Sequence, residues 1–256
     1  MNKKNIKVGI LGYGEVGQAI AKFYPSTGSG RAKIKDLKRD DDLIGADILH
    51  VCIPWSEKFS TIVEKEIKNI QPQLTIIHST VEPGVTHEFA KEFKGMVVHS
   101  PIRGVHPHLY KGIKTFVKYI GADNKKAGRL AENHLKSLGI KTRVFPSSKT
   151  TELGKLLDTT YYGLVIAWHG EKKKLCDKLG INFEYAVTDF NQTYNEGYKK
   201  LGKHNVLRPV LYPPNPHIGG HCIISNTKLL KKHMKSKAID LVLNYENTHN
   251  PSRKVS

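Results

Sequence analysis

Through residue 147 the chain switches between short contiguous apolar runs and longer stretches with an apolar residue every three or four positions. The runs at 6–11, 32–37, 47–53, 74–78, 96–99, 115–120 and 142–145 read as strands, short and apolar enough to be covered on both faces. Between them Val16, Ile20 and Phe23 fall at helical spacing before Pro25. Phe59, Ile62, Val63, Ile67 and Ile70 form one stripe before Pro72, with Ser56 placed to cap it. Residues 124–138 read as a further helix, 105–112 as loop and 40–42 as a turn. Strand and helix in alternation predict an α/β fold with a doubly wound, mostly parallel sheet.

After residue 147 the strand signal stops. A helix of roughly thirty residues is expected over 148–180, with Leu153, Leu157, Leu164 and Trp168 on one face. Gly163, Ala167 and Gly170 form a small-residue ridge that invites close approach of another helix. Phe183, Val187, Phe190, Tyr194, Tyr198 and Leu201 predict a second helix between Gly180 and Gly202. A proline-rich loop then leads to Gly219-Gly220-His221-Cys222, and a last helix begins near Thr227 with Asn226 as its cap. Residues 247–256 read as frayed. The expected organisation is a nucleotide-binding domain at 1–147 and a smaller all-α domain at 148–256 for substrate and dimerisation, a homodimer forming through helix 148–180.

The chemistry starts at Gly12-Tyr13-Gly14-Glu15-Val16-Gly17, directly after the first strand. A strand, a turn only glycines can make and a helix start, in that order, form the dinucleotide fingerprint of a Rossmann-type sheet. Gly12 permits the turn, Gly14 leaves room for a pyrophosphate, and Gly17 lets helix and strand lie close. The backbone N–H groups of Glu15 and Val16 point where an anion would sit. Asp36, near the end of the second strand, is placed to accept hydrogen bonds from a ribose; as an alternative it opens the turn that follows. With a ribose-holding Asp36 the cofactor is NAD. Lys35, Lys38 and Arg39 would suit a 2′-phosphate, so NADP stays open. Pro54, Ser79 and Thr80 close strands at the carboxyl edge, where ligands of such sheets bind, although turn-capping hydroxyls would look the same.

Composition narrows the class. The 256 residues are 39% hydrophobic and 8% aromatic, without an apolar run of membrane-spanning length or a signal-peptide core, so a soluble cytoplasmic protein is expected. Cys52, Cys176 and Cys222 are too scattered for a disulfide framework or a zinc site, and His106-Pro107-His108 has no partner ligand at metal spacing. The net charge of +18 is spread along the chain. It reads first as solvated helix faces and a compositional habit, with an anionic small-molecule substrate or a polyanion surface as the alternatives, and no aromatic-basic module for nucleic acid is visible.

The fingerprint, Ser79-Thr80-Val81-Glu82-Pro83-Gly84, Ser100-Pro101, the Glu152-x-x-Lys155 pair and Gly219-Gly220-His221-Cys222 stand in the order seen in the UDP-glucose/GDP-mannose dehydrogenase family, which the chain resembles over nearly its whole length. The resemblance implies NAD-dependent oxidation of a primary alcohol. Cys222 would capture the aldehyde as a thiohemiacetal that goes on through a thioester to an acid, and Lys155 would assist proton transfer. A buried thiol and a solvated helix lysine are the structural alternatives for these two residues. The chain departs from the pattern at Thr159, where the family has asparagine, and at Asn226, where it has aspartate. Ile102 replaces a glutamate, and the family's C-terminal domain has no counterpart after about residue 246. The expectation is a short relative with Cys222, Lys155, Thr159 and Asn226 at the catalytic positions. Arg103, Gly219, Gly220 and His221 would meet a small or sugar-like anionic alcohol. The alternatives are two-electron 3-hydroxyacid-type hydride transfer without cysteine chemistry, and a silent NAD-binding module.

Overall fold

The computed structural model describes residues 6–28, 30–104, 107–220 and 222–247. It divides into two compact units, Met1–Lys155 and Leu156–Ser256, so the division falls inside the long helix and not at its start.

In the first unit the strands are β1 (Val8–Leu11), β2 (Lys33–Asp36), β3 (Arg39–Asp40), β4 (Ile48–Val51), β5 (Leu74–Ile77), β6 (Val97–His99), β7 (Lys118–Gly121) and β8 (Thr142–Phe145). They form one sheet in the order β3-β2-β1-β4-β5-β6-β7-β8. Pairing is parallel except at β2–β3 and β6–β7. β1, β4 and β5 are buried at every position, which is why they read as unbroken apolar runs. Helices α1 (Glu15–Ala21), α2 (Phe59–Ile70), α3 (Val85–Glu92), α4 (Leu109–Thr115) and α5 (Lys125–Ser137) supply the two covering layers. Ile10, Ile20, Ile76, Ala127 and Leu135 fill one layer. Leu11, Leu49, Val63, Ile67 and Phe89 fill the other, each buried side chain contributing about 1.5–3 kcal/mol.

The sheet bears out the expected class, with local differences. Residues 109–115 form α4 where loop was expected, because Leu109 and Ile113 turn into the core, and β7 therefore begins at Lys118. The expected turn at 40–42 starts as β3, paired Lys35 to Asp40 and Asp36 to Arg39. Ser56 does not cap α2. Lys58 holds that position, and Ser56 contributes only its carbonyl, to the Phe59 N–H.

The long helix is α6 (Ser148–Leu179). Beyond Lys155 its buried positions include Leu156, Thr160 and Ala167; of the expected face, Leu153, Leu157 and Trp168 are exposed and only Leu164 packs against the core. The small residues explain the difference. A Cβ at Gly163 would lie 2.4 Å from Ile223 Cγ2 and 3.1 Å from Val242 Cγ1. The ridge is thus filled from within the chain by α8 (Cys222–Lys231), α9 (Lys237–Leu243) and the residues just after it: Ile223, Val242 and Tyr245 form one core with Ala167. The second helical stretch opens with wide π-type turns over Glu184–Asp189 before α7 (Phe190–Lys200). The widening breaks the expected stripe. Phe183 and Val187 are buried with Cys176, whereas Phe190, Tyr194 and Leu201 are exposed. Among the described residues no helix is long and apolar enough to cross a membrane.

Candidate functional site

The first βα turn forms where the chain has paired β1 with β2 on one side and β4 on the other. Gly12 has φ +94°, and a Cβ there would stand 2.8 Å from the backbone of Cys52 and Ile53, so the loops after β1 and β4 touch. A Cβ on Gly17 would come within 2.0 Å of the Gly12 carbonyl oxygen. Gly14 is different. Nothing lies within 4 Å of its Cβ position, so the missing side chain there leaves exposed backbone at the head of α1, with Glu15 exposed and Val16 half-buried beside it. Asp36 Oδ2 accepts from the Tyr13 N–H at 2.7 Å, tying the end of β2 to the turn, and Oδ1 has no partner among the described residues. Of the cations that would suit a 2′-phosphate, Lys35 donates to Glu66 at 2.9 Å. Arg39 donates to Asp41 at 3.3 Å and lies over the Tyr13 ring. An open glycine, exposed amides and a carboxylate at the end of β2 fit a dinucleotide.

The other carboxyl-edge loops place their residues unequally. Pro54 is exposed after β4 and Thr80 is half-buried. The Ser79 hydroxyl donates to the Ile53 carbonyl at 2.6 Å and joins two loops. Arg103 donates to the Val117 carbonyl at 3.4 Å, with its guanidinium 4.7 Å from the Tyr119 ring centroid. The fully buried Glu152 accepts from the N–H groups of Gly84 at 2.7 Å and Thr86 at 2.8 Å, capping α3. Burial pushes its pKa up and these two amides oppose the shift. Lys155 lies half-buried one turn further along α6.

Behind these loops runs a buried polar track that the apolar-run reading missed. Lys118, 3% exposed, donates from Nζ to the carbonyls of Ser100 at 2.7 Å and Pro101 at 3.1 Å. His78 Nδ1 meets the same Ser100 carbonyl at 2.8 Å, His50 Nδ1 meets His78 Nε2 at 2.8 Å, and the Tyr24 hydroxyl bridges His50 Nε2 at 2.7 Å and His134 Nε2 at 2.8 Å. The signal in sequence is a lysine and three histidines standing in or beside strands and helices that are otherwise apolar on their inner side.

In the second unit the two departures from the family pattern meet. Asn226 Nδ2 donates to Thr159 Oγ1 at 3.2 Å. Asn226 is not the helix cap expected from the sequence. α8 already begins at Cys222, so Asn226 lies inside it and is buried, its amide spent on Thr159. Cys222 is exposed at the first position of α8, after the exposed Gly219 and Gly220; His221 lies outside the described residues. Sequence reading also missed Arg208. Asn195 holds its backbone through two 2.8 Å hydrogen bonds, and its guanidinium lies 4.4 Å from the Tyr194 ring centroid and 5.3 Å from that of Tyr198. Its buried Nη1 has no partner among the described residues, a donor suited to an anion. No group of three or more metal-ligating side chains occurs among the described residues.

A doubly wound sheet with this glycine turn at its switch point defines a Rossmann-type, dinucleotide-binding fold class. The chain is similar in sequence to nucleotide-sugar dehydrogenases. It is 29% identical over 195 residues to UDP-N-acetyl-D-mannosamine dehydrogenase of Methanocaldococcus jannaschii, covering 70% of this chain and 43% of that one. It spans between a third and a half of the length of five UDP-N-acetyl-D-mannosamine dehydrogenases that it matches. The same fold occurs in the UDP-D-ManNAc dehydrogenase of Pyrococcus horikoshii, with a TM-score of 0.75 at 20% identity over 94% of this chain and 68% of that one. It occurs also in a Mycobacterium tuberculosis 3-hydroxyisobutyrate dehydrogenase, with a TM-score of 0.65 at 14% identity over 93% of this chain and 91% of that one. No protein-family profile matches the chain.

Proposed function

We propose that the chain is an NAD-dependent dehydrogenase that oxidises an alcohol of an anionic, sugar-nucleotide-like substrate. The observation that carries the reading is the Gly12–Gly17 turn, open at Gly14 and tied through the Tyr13 N–H to Asp36. When bound, the dinucleotide supplies the hydride acceptor. The chain's own parts in the reaction are binding and proton handling. The amides of Glu15 and Val16 bind the pyrophosphate, with Pro54, Ser79 and Thr80 bordering the cofactor. Asp36 accepts from the ribose diol, a task that the pairing of Lys35 with Glu66 and Arg39 with Asp41 favours over holding a 2′-phosphate. Lys155 takes the alcohol proton. Arg208, whose Nη1 has no partner among the described residues, binds the anionic part of the substrate; the other residues assigned to substrate are Arg103 in the first unit and Gly219, Gly220 and His221 in the second.

Formation of an acid needs Cys222. Its thiolate would add to the aldehyde carbon and hold the adduct while a bound dinucleotide supplied the second two-electron oxidation, and water would then displace the thiolate to release the acid. A second reading, one hydride transfer with the aldehyde or ketone as product, is favoured by Asn226. An amide already donating to Thr159 cannot take a proton from the hydrolytic water. The test is NADH counted per molecule of UDP-N-acetylmannosamine consumed by the purified protein with NAD. Two NADH, falling to one or none in Cys222→Ser, support the cysteine route; one NADH, unchanged in Cys222→Ser, supports the single transfer. No NADH from any nucleotide sugar contradicts the substrate class.

We propose further that the chain forms a homodimer through the outer face of α6. Leu157, Tyr161, Trp168, Leu175 and Leu179 are each 45–60% exposed there and recur at four- and seven-residue spacing, which lines them up on one side of the helix.

A further inference from the structure

We infer that Lys118 and His78 are positioning residues for loop 100–103 at the sheet's carboxyl edge, gripping one backbone carbonyl from two sides with a strength set by the charge on Lys118. The Ser100 carbonyl accepts from Lys118 Nζ at 2.7 Å and from His78 Nδ1 at 2.8 Å, and Lys118 reaches on to the Pro101 carbonyl at 3.1 Å. Ser100 is fixed otherwise by its N–H to the Ile77 carbonyl and its hydroxyl to the Tyr119 carbonyl, so the chain beyond it leaves the sheet from this anchor. Arg103, assigned above to the substrate seat, lies three residues on.

A carbonyl oxygen only accepts, and with the buried histidines neutral this fixes every proton on the track. His78 carries its proton on Nδ1, leaving Nε2 to accept from His50 Nδ1–H. His50 Nε2 then accepts from the Tyr24 hydroxyl, and the Tyr24 oxygen accepts from His134 Nε2–H. His134 Nδ1 is left as a bare lone pair, and it is the one track atom without a partner among the described residues. All three histidines are neutral in this arrangement, as burial holds them.

The groups facing Lys118 leave any charge on it uncompensated. His50 on β4, His78 after β5 and His99 on β6 are kept neutral by burial. Cys52 after β4 is kept as a thiol, burial pushing it up to about 12, and Lys155 on α6 repels a positive charge. Burial accordingly brings Lys118 down to about 7. Charged, it makes charge-assisted bonds of roughly twice the ordinary strength; neutral, it makes ordinary ones. The grip on loop 100–103 therefore relaxes as pH rises through neutrality.

The consequence for turnover rests on the dehydrogenase reading, whereas the grip does not, and one pair of measurements separates them. The first is NMR of the full chain with labelled histidine, lysine and serine. His50 and His78 are expected protonated at Nδ1 and His134 at Nε2. The Ser100 carbonyl carbon is expected to titrate near neutrality in the wild type and not in Lys118→Met. Other tautomers in the wild type, or the same titration in Lys118→Met, would overturn the inference without touching the enzymatic reading. The wild-type tautomers and titration need no variant to fold. The second is turnover of UDP-N-acetylmannosamine, if the wild type shows it. Lys118→Met is expected to lower kcat/KM about tenfold, the scale of a lost bond to a charged group, and to flatten its pH profile between about pH 6 and about pH 8. An unchanged profile would overturn the positioning role while leaving the dehydrogenase reading in place.

Discussion

A methyl group at Gly17 would sit 2.0 Å from the Gly12 carbonyl oxygen, a contact no rotamer can relieve because both partners are backbone. Gly17→Ala is expected to force α1 away from the turn and to cost about 1–3 kcal/mol, the scale of overpacking in a closed site. The urea midpoint checks it, and a wild-type midpoint would mean that the turn is looser than its geometry states. Asn226 and Thr159 show how a pair of residues can carry a change in chemistry. Each stands four positions after a proposed reactive residue, and they bond to one another at 3.2 Å, so the departures from the family pattern form one contact instead of two separate losses. The sequence showed both substitutions and not their pairing, since residues 67 apart share no local signal.

Among elements, the strands were legible because β1, β4 and β5 are buried on both faces and large apolar side chains mark them. The length of α6 was legible too. Its orientation was not, because periodicity weighs Leu153, Leu157 and Trp168 above the small residues Gly163 and Ala167, on which α8 and α9 pack. The start of α8 was misplaced because a buried asparagine looks like a cap when its distant partner is unseen. Lys118 escaped notice because one charge does not alter the reading of an apolar strand. Its layer has a measurable consequence. His50, His78, His99 and His134 are neutral in the folded state, with His134 held at about 4 and His99 at about 3. The unfolded chain binds protons on these residues from about pH 6.5 downward and the folded one does not, so folding stability is lost as pH falls from there toward the folded values. Urea midpoints are expected to drop steadily between about pH 6.5 and about pH 4. A flat midpoint over that range would place these histidines in water.

For the whole molecule, the charge of +18 is the constant background, suited to drawing in an anionic cofactor and substrate at low salt. The homodimer proposed above would use the outer face of α6. Trp168→Glu is expected to convert a dimer to a monomer in sedimentation equilibrium without moving the thermal midpoint of the monomer, whereas a monomeric wild type would remove the dimer from the account. The claim on which the rest depends is that the first βα turn seats a dinucleotide. The direct measurement is a calorimetric titration of NADH into the wild type and into Gly14→Val, with the thermal midpoint of each recorded alongside. A Cβ at Gly14 touches nothing in the protein, so the variant should melt with the wild type and fail to bind NADH, while the wild type binds one per chain. Equal binding by both proteins, or none by either with NADH or NADPH, would contradict the account.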